Sequence, residues 1–178
     1  MPKVEEVFLE KIYYDKKNMN LIARWRNYET IFPILRTPYD TSPDQQEAWV
    51  KKILNDKICQ YYYIFHNCQI AGYCGFDKID GVNRTAEISM LIAPHKQKKG
   101  VGKKVTELLL DIAFNRLNIN LVYAEVNGNS SNKEFWEKCG FKFDGELRSR
   151  KYINKIYYPT IIMSIMQHEW GNDESNGN

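Results

Sequence analysis

A basic, glycine-containing turn made of Gln97, Lys98, Lys99, Gly100, Val101, Gly102, Lys103 and Lys104 follows directly on an apolar stretch that runs from Ala86 to Pro94. Residues of these types at this spacing suit the binding of a polyphosphate. A strand that feeds the start of a helix presents backbone N–H groups to an anion, and the helix dipole favours negative charge there. Glycine at 100 and 102 lets the chain bend and lets phosphate oxygens approach where a Cβ would otherwise stand. The lysines add charge, although any one of them also fits a merely solvated face. Of two other phosphate-binding plans, the P-loop is excluded and the Rossmann fingerprint fits poorly. No GxxxxGK[ST] segment occurs, and 97–102 lacks both the first glycine of GxGxxG and an acidic ribose ligand at the expected place.

The elements that must position this turn follow from periodicity. A strand is expected over 4–13 and a helix over 17–28, with Leu21, Ile22 and Trp25 on one face. Ser42, Pro43 and Gln45 have the form of a helix start: a serine cap, proline at the first helical position and glutamine three residues after the cap. That helix is expected to turn Ala48, Trp49, Ile53 and Leu54 inward. The aromatic run 61–65 and the stretch 70–79 read as a hairpin that turns at 67–69, and a strand over 85–93 follows. The helix after Gly100 carries Val105, Leu109, Ile112, Ala113 and Leu117 on one stripe. A strand over 118–126, a short helix over 130–139 closed by Gly140, and strands over 141–147 and 157–166 complete the order β-α-α-β-β-β-α-β-α-β-β. Such an order gives a mixed sheet with helices on its faces, of class α/β (α+β). Along the strand before the turn, Glu87, Ser89, Leu91 and Ala93 share one face, while Ala86, Ile88, Met90 and Ile92 share the other.

A chain of 178 residues with 43% hydrophobic content fits one domain, placed at 1–170, followed by a polar tail at 171–178 that is expected to be disordered. A net charge of +3 from 25 basic and 22 acidic residues argues against a nucleic-acid partner. The apolar runs are too short to span a membrane, and the N-terminus lacks an apolar leader, so a cytoplasmic protein is expected. Cys68, Cys74 and Cys139 stand among apolar residues and read as buried thiols. The four cysteines and three histidines complete no zinc spacing, so no metal is expected.

The turn at Gln97, Gly100 and Gly102 resembles the Gln/Arg-x-x-Gly-x-Gly/Ala motif of the GCN5-related N-acetyltransferase (GNAT) superfamily. Asn129, Asn132 and the run Phe135, Trp136, Glu137, Lys138, Cys139, Gly140 and Phe141 are similar to a second segment of that family. The resemblance covers roughly residues 3–168. Trp25, Arg26 and Asn27, with Pro38, Tyr39, Asp40 and Thr41, look most like the branch that holds ribosomal-protein alanine, spermidine and amino-sugar acetyltransferases. It implies a three-layer α/β/α domain around a mostly antiparallel, V-splayed sheet, with acetyl-CoA lying in the split between the strands at 86–93 and 119–126.

The resemblance also implies the chemistry: direct transfer of the acetyl group of acetyl-CoA to a primary amine in a ternary complex. The pyrophosphate falls to Gln97, Lys98, Lys99, Gly100, Val101, Gly102 and Lys103, and the thioester carbonyl to a backbone N–H at Leu91, with Ile92 beside it. Asn129 and Asn132 are placed on the pantetheine arm and Phe135 on adenine, although a capping role and a core role explain the same residues. Glu87 stands where some members carry the base that takes the acceptor's proton, and pairing with a nearby cation explains it equally. The family's frequent acidic tyrosine falls on Trp136. An indole N–H only donates a hydrogen bond, so either Tyr123 or water protonates the departing thiolate, or it leaves unprotonated; Trp136 itself fits core packing or the pantetheine. Arg26, Arg36 and Tyr39 line the expected acceptor pocket. Arg36 and Thr37 replace an acidic pair of the spermidine enzymes, which favours an amino sugar, a nucleotide-linked amino sugar or a protein N-terminus over a polyamine. Arg26 also fits a structural ion pair. The partners implied are acetyl-CoA and a small-molecule or peptide amine, with a homodimer among the assemblies allowed. The alternative is a CoA-binding sensor or interaction module without catalysis.

Overall fold

The computed structural model describes residues 6–31, 35, 40–128 and 132–171. The expectations for Arg36, Tyr39, Asn129 and the tail at 172–178 lie outside the described residues. Among the described residues, seven strands form one sheet: β1 (Val7–Lys11), β2 (Gln60–His66), β3 (Gln69–Asp80), β4 (Thr85–Ile92), β5 (Leu121–Asn127), β6 (Lys142–Ile153) and β7 (Ile156–Met166). Their order across the sheet is β1-β2-β3-β4-β5-β7-β6. Four α-helices accompany them: α1 (Lys16–Arg26), α2 (Pro43–Asn55), α3 (Val101–Asp111) and α4 (Asn132–Lys138). The expected element order and the mixed, mostly antiparallel sheet are both present.

Local chemistry explains most of these elements. Asp15 caps α1 by accepting from the Asn18 amide at 2.7 Å. The Ser42–Gln45 capping box at the start of α2 forms with both of its reciprocal hydrogen bonds. Asn67 and Cys68 both take left-handed backbone angles, which makes the two-residue turn between β2 and β3. Asn154 and Lys155 do the same between β6 and β7. Cys68, at a hairpin tip, is therefore exposed rather than buried, while Cys74 is buried and Cys139 half-buried. The inward face of α2 also differs from expectation. Gln46, Val50 and Ile53 are buried, Trp49 is half-buried, and Ala48 and Leu54 face outward. The stripe on α3 is buried as expected through Ala113, with the last turn, 112–116, widened into a π-helical turn.

The sheet separates two apolar layers. On one side α3 and α4 cover Ala86, Ile88, Val122, Ala124 and Met163. On the other α1 and α2 cover Tyr61, Tyr63, Tyr73 and Leu91. The alternation expected along β4 is thus realised, with Glu87 and Leu91 on the α1/α2 side.

One break in the sheet matters most for the site. β4 and β5 run parallel and pair only at Thr85↔Leu121, Ala86↔Val122 and Glu87↔Tyr123. Beyond that row β4 stays paired with β3 and β5 with β7, so their facing edges splay apart. The closed end is pinned. The Arg84 carbonyl accepts from the Asn120 amide at 2.7 Å. The Arg84 guanidinium donates to the Asn118 carbonyl at 2.7 Å and to Gln167 Oε1 at 3.4 Å.

Candidate active site

The open arms of the V carry backbone edges without a strand between them. β4 ends at Ile92, and a 3₁₀ turn at Pro94–Lys96 leads to Lys98 and Gly100, both with left-handed backbone angles (φ 57° and 75°). Gly100 caps α3, and the first intrahelical bond runs from the Lys104 amide to the Gly100 carbonyl at 3.1 Å. The amides of Val101, Gly102 and Lys103 precede that bond and have no carbonyl one turn back within the helix. The basic turn at 97–103 thus stands beside the start of α3, at the open end of the splay.

Several residues expected to touch the cofactor prove to shape this cradle as well. Gln97 Nε2 donates back to the Ile92 carbonyl at 3.1 Å, which ties the turn to the end of β4. A Cβ on Gly102 would lie 3.1 Å from Phe135 Cε2, so glycine there seats the Phe135 ring against the first turn of α3. Phe135 packs edge-on to Trp136 (centroids 5.1 Å), and Trp136 on Phe141 (4.8 Å). Trp136 is buried in the layer beneath α3 and α4, which is its core reading. Asn132 stands at the first position of α4.

Leu91 is held by an unusual contact. Gly72 on β3 has φ +153°, and a Cβ there would fall 2.0 Å from the Leu91 carbonyl oxygen. Only glycine lets β3 come this close to the residue whose amide is expected to polarise the thioester. Composition alone gives Gly72 no such prominence, because the constraint comes from the strand next to it.

Glu87 sits in the last paired row before the splay, with its side chain fully buried. Across the sheet this row reads Asp77, Glu87, Tyr123 and Ser164, so these side chains share one face. Lys78 Nζ lies 2.8 Å from Glu87 Oε2 and 3.5 Å from Glu125 Oε1. Arg150 reaches the same Glu125 oxygen at 3.4 Å. Asp77 accepts from the Tyr61 hydroxyl at 2.6 Å and from Cys59 Sγ at 3.4 Å. Burial first, and the Asp77 charge next, hold the Tyr61 hydroxyl far above its ordinary range. Burial, with the Asp77 hydrogen bond, pushes the Cys59 thiol up to about 12. Both groups therefore keep their protons and orient Asp77.

The sequence singles out neither Asp77, Lys78, Glu125 nor Asn127. An acidic residue on the same strand parity as Glu87 was the available signal. Asn127, at the open end of β5, donates to the Leu35 carbonyl at 2.8 Å and ties the loop between α1 and α2 to the splay. Arg26, expected at the acceptor, donates to Thr41 Oγ1 at 3.1 Å and to the Tyr73 hydroxyl at 2.8 Å. Its guanidinium joins α1 to β3 and the residues before α2. Trp49, Tyr61 and Tyr73 form an aromatic wall beside it, with centroids 5.0 to 6.0 Å apart. A cavity of about 720 Å³ lies elsewhere, between α3, the end of α4 and the residues after β7, among Lys103, Thr106, Lys138 and Trp170, and neither Glu87 nor Leu91 lines it.

The arrangement combines a basic turn at a helix start, a strand held close to its neighbour at Leu91 and a buried carboxylate where the sheet splays. Known proteins resemble the chain as follows. The profile of the acetyltransferase (GNAT) family matches residues 22–141. The spermidine N(1)-acetyltransferase of Escherichia coli K12 is 26% identical over 172 residues, 96% of this chain and 91% of that protein. The putative ribosomal N-acetyltransferase YdaF of Bacillus subtilis is 27% identical over 137 residues, 72% of this chain and 75% of that one. The crystal structure of spermidine N-acetyltransferase from Vibrio cholerae in complex with CoA and spermine superposes with a TM-score of 0.82 at 25% identity, covering 92% of this chain and 96% of that one.

Proposed function

Because the chain belongs to the GNAT acetyltransferase family and is an acetyl-CoA-dependent N-acetyltransferase, we propose that it moves the acetyl group directly to a primary amine of a polyamine. The observation that carries this reading is Glu87, a fully buried carboxylate placed in the last β4–β5 pair, where the slot opens. In that position its carboxylate takes the proton from the acceptor ammonium, which frees the lone pair that attacks the acetyl carbonyl. The Leu91 amide holds the carbonyl oxygen as it gains charge. The amine nitrogen forms its bond to the acetyl carbon as the carbon–sulfur bond breaks, CoA departs as the thiolate, and the second proton lost by the nitrogen passes through water to that thiolate. The cradle of 97–103 holds the pyrophosphate through backbone amides and lysine charge. The free edges of β4 and β5 offer amides and carbonyls to the pantetheine arm, much as a sheet edge accepts an extended peptide.

Two observations support a polyamine over the anionic amino sugar that the arginines suggested. Arg26 is committed to Thr41 and Tyr73. The face under α1 and α2 gathers Asp77, Glu87 and Glu125, which suit a cation. The relatives that run along nearly the whole chain carry the name spermidine N(1)-acetyltransferase. The test is thiol release from acetyl-CoA against a panel of polyamines, amino sugars, nucleotide-linked amino sugars and peptides. Spermidine-type amines are expected to lead by kcat/KM, and a lead by any other class overturns the acceptor assignment.

Self-association is part of the same proposal. β6 is an edge strand, and it and its hairpin expose Phe143, Leu147, Tyr152, Ile156 and Tyr157. Apolar groups along an open edge favour a second copy. Light scattering is expected to give a mass above that of one 21.0 kDa chain, and a monomer would overturn this part.

A further inference from the structure

Lys78 occupies a place that strand alternation does not give it. Tyr73, Gly75 and Asp77 follow the α1/α2 face of β3, so a regular strand would turn residue 78 to the opposite side. Instead the β3–β4 register breaks between Asp77 and Asp80, and Lys78 takes a left-handed backbone angle of 51°. A lysine in that conformation is locally strained, and such strain persists where the surrounding structure holds it. Its result is that the Lys78 ammonium reaches across β4 to Glu87 and on to Glu125. Glu87 is fully buried, and a buried carboxylate left without a cation would be strongly disfavoured. The Lys78 side chain remains 52% exposed, on a long flexible stem. The cation is therefore free to swing toward solvent, whereas the carboxylate it serves is fixed in the sheet.

We propose that Lys78 is the resident counter-ion of the acceptor site. Its alkylammonium holds the Glu87–Glu125 pair in the empty enzyme and is displaced by the ammonium of the incoming acceptor, and its charge sets how strongly acceptor cations compete for the site. The polyamine reading enters only in naming the displacing cation. Glu125, shared with Arg150, then takes the ammonium next to the one at Glu87, so acceptors with two or more charges outbind monoamines of equal length.

The test compares wild type with Lys78→Met and Lys78→Arg. Removing the resident charge is expected to lower KM for spermidine about tenfold. Lys78→Arg is expected to keep KM at or above the wild-type value. Spermidine is also expected to raise the melting temperature of Lys78→Met more than that of wild type. A second measurement needs no variant: acylation of Lys78 by a water-soluble amine-reactive ester, read by peptide mass relative to the exposed Lys52 of the same sample, should rise when spermidine is added to wild type. An unchanged or raised KM in folded Lys78→Met, or Lys78 labelling that does not respond to acceptor, overturns the proposal. If wild type turns over another amine instead of spermidine, the polyamine reading falls and the same measurements on that amine decide the role of Lys78.

Discussion

Glu87→Gln is expected to lower kcat by about 10²–10³-fold, the range of a positioned general base, and to leave acetyl-CoA affinity unchanged by calorimetry. The substitution keeps the shape of a fully buried side chain while it removes the negative charge and, with it, the ability to take a proton. The cofactor cradle lies at 97–103, beyond the open end of β4, so cofactor binding does not depend on this carboxylate. Lys78 loses its nearer partner but keeps Glu125 at 3.5 Å, and being half-exposed it can also turn to water, so the fold should survive. A diagnostic accompanies the rate. At alkaline pH a larger share of the acceptor is already neutral, so the variant should recover activity relative to wild type. A loss below tenfold, or a deficit that does not shrink with rising pH, would show that Glu87 only positions its neighbours.

Gly72→Ala carries the largest expected stability effect. The added Cβ would stand 2.0 Å from the Leu91 carbonyl oxygen and 3.0 Å from its carbon, and both are backbone atoms that no rotamer change can move aside. The backbone at 72 also sits at φ +153°, where an alanine is strained. β3 and β4 would have to part, at a cost of about 3 kcal/mol or more. For a chain of this length that lowers the melting temperature by roughly 10 °C. Leu91 would move with the strand, so kcat should fall as well, by a larger factor than acetyl-CoA affinity. A melting temperature within about 2 °C of wild type would refute the close approach.

Much of the fold was legible in the sequence because it follows from local rules. Periods of 2 and 3.6 gave the element order, and Ser42 with Gln45 gave the start of α2 through two reciprocal hydrogen bonds. What sequence reading missed arises where backbone geometry or a neighbour distant along the chain overrides the local pattern. Gln46 is drawn into the core, which rotates the inner face of α2 away from Ala48 and Leu54. Cys68 has an apolar side chain, yet a tight hairpin turn holds it outside. Lys78 is the sharpest case. A left-handed lysine in a strand has no composition signal, so the cation opposite Glu87 emerges only when the bulge is seen. At the site, the cofactor turn was readable because glycines and lysines announce it. The acceptor side was less legible, because the sequence does not show that Arg26 ties α1 to β3 through the hydroxyls of Thr41 and Tyr73.

The three residue pairs that join β4 to β5 also have a mechanical consequence. The sheet consists of a four-stranded leaf and a three-stranded leaf that touch along one short seam. Each leaf has its own dense backbone ladder, so the seam is where local opening should need the least energy. The pantetheine arm proposed to lie between the leaves would act there as a missing strand, supplied from solution and removed at every turnover. Stability then tracks the free concentration of the acetyl donor.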